Sequence, residues 1–329
     1  MKENRLVFTV FLAILMLMPS CTKSGLSSGS SGAEGISISF LSNRPPDKVV
    51  ADSAEVEVPI MIEVRNKGAF PKAERDSGDG WDNNDVVFVS GYDPNILTSW
   101  KVNGKGLTAP IALMSDKSLE GKGSFSPNGG YDTMEFSALL STGNLKQGRF
   151  KQSFLVTACY QYRTRADTNV CIDPEPYAVT TEKKVCQIGP VSLSSQGAPI
   201  TITKIEEEVL RNSIQFKIYF KNAGKGEVLK KESLAKCGPV GQGVIDRKDI
   251  GLIRAKEVRV GGMNIEGSCK PRDNEGYARL VNNEGFVICS MPKEEGGKNV
   301  YSSAMFIELE YGYRDSISKT VEIVNVPTG

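Results

Sequence analysis

The sequence predicts an all-β protein: antiparallel β-sandwich domains in tandem, behind an export signal and a flexible tether. Three observations carry this. Apolar residues recur with period two, Gly and Asn break the chain between those runs, and the chain repeats itself. Gly alone occurs 33 times, and sustained helical periodicity is absent.

The elements follow in order. Lys2 and Arg5 precede an apolar run from Leu6 to Met18, broken only by Thr9. A helix of that length spans about 20 Å, short of the roughly 30 Å hydrocarbon core. A positive start, a short apolar stretch and then small residues form the pattern of a secretory signal over residues 1–20. Met18-Pro19-Ser20-Cys21 resembles a lipobox, the cleavage site of secreted lipoproteins. The resemblance implies that Cys21 becomes the first mature residue and carries the lipid. Residues 21–35 are mostly Ser and Gly and read as a tether.

Strands follow. "ISISF" (36–40), "VEVPIMIEV" (56–64), "ITITKI" (200–205), "IQFKIYF" (214–220) and "MFIELEY" (305–311) alternate as half-buried strands do. The stretch 245–258, "IDRKDIGLIRAKEV", has room for a helical turn or two. Many short strands between turn signals favour two packed antiparallel sheets.

The repeat sets the domains. "IMIEVRNKGAF" (60–70) lies over "FKIYFKNAGKG" (216–226), matching Asn66-Lys67-Gly68 with Asn222-Ala223-Gly224. "CYQYRTRADTNVCI" (159–172) lies over "EYGYRDSISKTVEI" (310–323) and reads as a hairpin with a polar turn, once per domain. Domain one is expected at 36–188 and domain two at 200–329. The Pro- and Gly-rich stretch 189–199 between them reads as a linker allowing limited motion.

There are seven cysteines. With Cys21 lipidated, Cys159, Cys171, Cys186, Cys237, Cys269 and Cys289 can close three disulfides, in any of fifteen ways. The repeat favours Cys159–Cys171, since both become Glu in the second copy (Glu310, Glu322) and both occupy one face of the expected hairpin. Cys269–Cys289 would close a second hairpin, leaving Cys186–Cys237. No C-x-x-C pair is present, which disfavours zinc.

"NKG" and "NAG" after a long alternating strand are similar to Ig-like modules of the cell-adhesion-related type, found in prokaryotic surface proteins. "CYQYRTRADTNVCIDP", "VSLSSQGAPITITKIEEE", "GFVICSM" and "IELEYGYRDSISKTVEI" resemble a group of archaeal cell-envelope proteins. The resemblance covers most of residues 36–326. It implies two tandem Ig-like extracellular sandwiches and brings no catalytic residues.

Composition limits the chemistry. There is no His, which excludes Ser-His-Asp and Cys-His nucleophile systems and His-ligated metal sites. Formal net charge is +1, with no cationic footprint for nucleic acid or polybasic block for anionic lipid. The densest polar cluster is "DSGDGWDNNDVV" (76–87). Asp76, Asp79, Asp82 and Asp85 are candidate calcium ligands there, although a solvated loop of Asx turns uses the same residues. Trp81 within it is a candidate ligand-binding residue that could stack on a sugar or anchor a partner, although a loop residue folded onto the sandwich edge fits the same pattern. Glu206-Glu207-Glu208 reads as a charged connection, Tyr311 and Tyr313 as core, and Arg314 as a strand-end cap.

The leading expectation is therefore a lipid-anchored, non-catalytic binding or structural module of the cell envelope, with envelope proteins or surface glycans as partners. A carbohydrate-binding or carboxylate-dependent carbohydrate-active protein is the alternative. A transporter's solute-binding lipoprotein needs more helix than this sequence offers.

Overall fold

The computed structural model describes residues 32–52, 55–71, 81–114, 119–123, 126–141, 148–179, 183–238 and 243–326. Residues 1–31 lie outside it, and with them the signal segment, Cys21 and most of the tether.

The first half of the chain holds β1 (Ile36–Phe40), β2 (Lys48–Ala51), β3 (Glu55–Asn66), β4 (Val86–Ser90), β5 (Leu97–Val102), β6 (Lys105–Gly106), β7 (Ile111–Leu113), β8 (Tyr131–Ser141) and β9 (Gly148–Ile172). The second holds β10 (Val191–Ser192), β11 (Ile200–Val209), β12 (Ser213–Asn222), β13 (Glu227–Leu229), β14 (Leu252–Val260), β15 (Met263–Asn264), β16 (Tyr277–Arg279), β17 (Glu284–Pro292) and β18 (Tyr301–Asn325). The chain is all-β and antiparallel, apart from β2, which runs parallel to β18.

Three sheets form. One has order β1-β3-β8-β5-β6, another β10-β11-β12-β17. The third, of nine strands, runs β15-β14-β18-β9-β4-β7, with β2 and β13 added on β18 and β16 on β14. Alternation places Phe154, Val156, Ala158, Tyr160 and Tyr162 of β9 on one face of this central sheet. Ile307, Leu309, Tyr311 and Tyr313 of β18 share that face. Ile60, Ile62 and Val64 of β3 and Ile202, Phe216 and Ile218 of the β11–β12 pair complete the same continuous buried cluster. Each fully buried aliphatic or aromatic side chain contributes roughly 2 kcal/mol. This is the sandwich that the alternation predicts.

The expected hairpins do not form. Residues 159–172 and 310–323 lie inside β9 and β18, two uninterrupted strands of 25 residues each. They pair with each other along their whole length, from Gly148 opposite Asn325 to Ile172 opposite Tyr301. The repeated motifs thus meet across a local twofold at Gln161 and Gly312, with Tyr160 opposite Tyr313 and Tyr162 opposite Tyr311. The segment 245–258 holds one 3₁₀ turn, Arg247–Asp249, and then enters β14. Glu206, Glu207 and Glu208 belong to β11 itself. Arg314 sits mid-strand, paired with Glu227, and caps nothing.

The disulfides follow from these strands. Cys159 bonds Cys237, Cys171 bonds Cys186, and Cys269 bonds Cys289. The expected Cys159–Cys171 bridge is ruled out by distance, because twelve residues of one extended strand span about 40 Å. Cys237, expected to pair with Cys186, is taken by Cys159 instead, which leaves Cys171 for Cys186. Cys159–Cys237 ties β9 of the first repeat to the second, on the sheet face away from the main core, among Val86, Phe88, Leu229 and Leu234.

The stretch 189–199 is fixed to both repeats. Val191 and Ser192 pair with Ile205 and Lys204. The Gly197 carbonyl accepts from Ala69 N–H (2.7 Å), and the Pro199 carbonyl from Ala223 N–H (2.8 Å). The end of the tether docks here too, through Gly32 N–H on the Ser195 hydroxyl (3.0 Å).

Candidate functional site

The most constructed region is the seam between β9 and β18. Four buried tyrosines form its centre, with ring centroids 5.7–6.5 Å apart. Each hydroxyl locks one end of a repeat. Tyr162 donates to Asn66 Oδ1 (3.1 Å) and accepts from Phe70 N–H (3.3 Å). Tyr313 donates to Asn222 Oδ1 (3.2 Å) and accepts from Gly226 N–H (2.8 Å). Tyr160 reaches the Ile36 carbonyl and Tyr311 accepts from the Ile200 N–H. Burial pushes all four phenols up, Tyr313 to about 12, so they stay protonated as donors.

This explains the repeated Asn-x-Gly. The Asn side chain takes the tyrosine proton and also caps the glycine's own N–H. The glycine leaves room, since a Cβ on Gly68 would stand 2.0 Å from the Tyr162 hydroxyl, and one on Gly224 2.2 Å from that of Tyr313.

The opposite face of the seam carries charge. Arg163 donates to Glu310 through Nε (3.2 Å) and Nη2 (3.1 Å), and lies 3.7 Å from Glu308. Arg165 binds Glu308, and Lys231 and Lys256 close on the two carboxylates. Burial works to raise the Glu310 carboxyl, but Lys231, Arg163 and Lys256 hold it below its ordinary value. The local twofold pairs Arg163 with Glu310 and Arg314 with Cys159. One copy of this position builds an ion network, the other a disulfide.

Asp76 and Asp79 lie outside the described residues. Asp82 Oδ1 accepts from Asn84 N–H (2.7 Å), an Asx turn. Asp85 is fully buried, with Oδ1 accepting from Gln161 N–H (2.6 Å) and Oδ2 from Asp82 N–H (2.6 Å). Both carboxylates hold backbone, and Asp85 pins its loop to β9 beside the twofold. Trp81 is half-buried among Phe70, Tyr160 and Tyr162 and donates Nε1–H to the Leu119 carbonyl (3.2 Å). It closes the sandwich edge. Among the described residues no group of three or more Cys, Asp or Glu is placed to hold a metal.

Burial pushes the Asp85 carboxyl up to about 7, against the pull of the Asp82 and Gln161 amides. The folded state therefore holds a proton between pH 4 and 7 that the unfolded chain releases. Stability from this group is full below pH 4 and falls as pH rises to 7, by on the order of 1 kcal/mol per unit. Asp85→Asn is expected to flatten that part of the stability–pH curve relative to the parent, measured by urea titration at each pH. An unchanged slope would refute the assignment.

Burial and Asp173 push Glu207 up to about 7 as well. Asp173 itself is ion-paired to Lys184 Nζ (2.6 Å). Neither carboxyl lines either of two grooves of the described residues. The grooves lie elsewhere. One of about 590 Å³ has Val228, Ile250 and Leu280 in its lining, with Asn282, Asn283 and Arg314 around them. Another, of about 580 Å³, is lined by Arg254, Lys270 and Arg272 with Glu266, Asp273 and Glu275.

Sequence reasoning missed the seam and the ion network. The signal available for the first was the coincidence of two Asn-x-Gly with two Tyr-x-Tyr-Arg motifs.

No protein-family model matches the chain, and no curated protein matches it. Among solved structures, the C-terminal domain of the Streptococcus pyogenes antigen I/II-family protein AspA aligns over 89% of this chain and 100% of its own, at 7% identity and TM-score 0.17. The collagen binding domain of the Erysipelothrix rhusiopathiae surface protein RspB aligns over 90% of each chain, at 12% identity and TM-score 0.17. The Streptococcus agalactiae AgI/II polypeptide BspA C-terminal domain aligns over 84% of this chain and 93% of its own, at 9% identity and TM-score 0.13. Likeness at this level does not establish a common fold with any of them.

Proposed function

We propose that the chain is a non-catalytic binding and structural module of the cell envelope, held to the membrane by a lipid on Cys21. The observation that supports this is the cross-linked seam. Two repeats share one sheet, the tyrosine locks and the linker hold both to it, and Cys159–Cys237 covalently joins them. A body braced by three disulfides suits an oxidising space outside the cytosol. The two carboxyls that burial raises to about 7, Asp85 and Glu207, are an internal brace and a strand residue. A rigid display body for contacts with envelope proteins or surface glycans is the use that fits this construction.

Intact mass spectrometry of the protein from membrane fractions is the test. The expected mass begins at Cys21, includes a lipid adduct and lacks six hydrogens for three disulfides. A full-length, fully reduced chain in the cytosol would refute the proposal. Crosslinking on intact cells then names the partner.

A further inference from the structure

One edge of β18 is covered by β9 along its whole length. The other edge is covered in pieces. β14 pairs with Met305–Glu310, β13 with Gly312–Arg314 and β2 with Glu322–Asn325. Among the described residues no strand lies against this edge from Asp315 to Val321. The row of strands beside β18 therefore has a gap about 20 Å long, closed by β13 at one end and β2 at the other. Backbone polarity shows what the gap lacks. Glu322 N–H points away from β9 and donates to the Asp47 carbonyl (2.9 Å). Strand periodicity turns the N–H and C=O of Thr320, Ser318 and Ser316 the same way. Asp315 Oδ1 accepts from the Ser316 N–H (2.8 Å). The Ser318 and Thr320 amides, and the carbonyls beside them, face a place where the sheet has no strand.

Sheets usually guard an open edge with Pro, a bulge or charged side chains. Here the side chains are small. Ser316, Ser318 and Thr320 are exposed, and the hydroxyls of Ser316 and Thr320 turn across to Thr157 (2.8 Å) and Ser153 (3.0 Å) of β9. The charges at the two ends are matched, Arg314 with Glu227 and Lys319 with Asp47. The shape of the gap selects its occupant. The same strand of a second copy does not fit, because β18 runs uninterrupted for 25 residues and the gap is closed at both ends. An extended segment of about five residues that enters and leaves the sheet satisfies the open amides and carbonyls by main-chain bonds. Its outward side chains lie beside the serine and threonine hydroxyls. Its inward ones lie beside Ile317, which packs against the main core. With the end charges already matched, the complementary segment is uncharged and alternates hydroxyl with β-branched apolar residues.

We propose that the gap beside β18 is a strand-addition site, which takes an uncharged, extended segment of a partner protein between β13 and β2. The inference is independent of the lipid on Cys21.

The probe is a capped Thr-Val-Thr-Val-Thr peptide, titrated to about 1 mM into the disulfide-bonded protein without its signal segment. Amide hydrogen exchange is read by NMR. At saturation the Ser318 and Thr320 amides should exchange about tenfold more slowly or less. Ser318→Pro removes a donor on the open edge alone, a place where strands tolerate Pro. It should leave the thermal melt nearly unchanged and weaken peptide binding about tenfold or more. A second comparison leaves the protein unaltered. Only every other amide of an added strand faces β18. Methylating the threonine nitrogens or the valine nitrogens of the peptide should therefore abolish binding in one case and spare it in the other. Absence of binding, binding that leaves both amides exchanging freely, or an equal effect of the two methylations overturns the proposal. So does protection of these amides by protein concentration alone, with a dimer in sedimentation equilibrium, which would make the occupant a second copy.

Discussion

Replacing Cys159 and Cys237 together by alanine is expected to lower the free energy of unfolding by about 4 kcal/mol. The bridge spans 78 residues, and the stabilisation from restricting an unfolded chain grows slowly with the loop closed, reaching about 4.5 kcal/mol at this length. Cys171–Cys186 spans 15 residues, for which the same reasoning gives about 3 kcal/mol. The ranking matters more than either value. Guanidinium titrations of the two double variants should place the 159/237 variant lower. The reverse order would mean that the link between the repeats is redundant with the shared sheet.

The second large effect is expected at Asn66. Its side chain donates to the Phe70 (2.7 Å) and Leu119 (2.9 Å) carbonyls and accepts from Gly68 N–H and the Tyr162 hydroxyl, all in a buried site. Asn66→Ala leaves four buried polar groups without these bonds, at roughly 1 kcal/mol or more each, so a loss of about 4 kcal/mol is expected. Asn222 makes three such bonds in a less buried place, to the Gly226 carbonyl, Gly224 N–H and Tyr313. Asn222→Ala should cost about 2 kcal/mol. Equal losses at the two sites would contradict the burial argument. The loss at Asn66 should shrink in a Tyr162→Phe background, because the two side chains share one bond.

Much of the fold was legible in the residues. Period-two alternation located β1, β3, β11 and β12, and the punctuating glycines correctly excluded long helices. The self-similarity of residues 159–172 and 310–323 was also real. Its meaning was not legible, because alternation reports which face a side chain takes and says nothing of which strand lies alongside. "RADTN" has the polarity of a turn, and strands usually end within about ten residues. A hairpin was therefore the local solution. The pairing of β9 with β18 depends on the Asn-x-Gly locks and on Cys237, all distant in sequence. The Cys159–Cys171 pairing failed for the same reason, since it was inferred from the hairpin, whereas Cys269–Cys289 formed as expected. At the acidic loop, composition leaves Asp82 and Asp85 open between metal ligands and Asx-turn residues, and Asp82 forms the turn. The structure assigns Asp85 to the Gln161 amide, a partner 76 residues away that spacing within the loop could not reveal. Trp81 has polar neighbours in sequence, whereas its neighbours in space are Phe70 and two tyrosines.

The shared ribbon has a consequence for how the protein is made. A polypeptide emerges amino end first, yet β9 is complete at residue 172 while the strand that covers its long edge begins only at residue 301. Through that interval Tyr160 lacks Tyr313 and Tyr162 lacks Tyr311, and the nascent amino half carries an open, sticky border. Maturation must then be a late, concerted event, slow for its size because its decisive contacts join remote positions. An unpaired strand edge of this length is prone to aggregate until the last strand arrives.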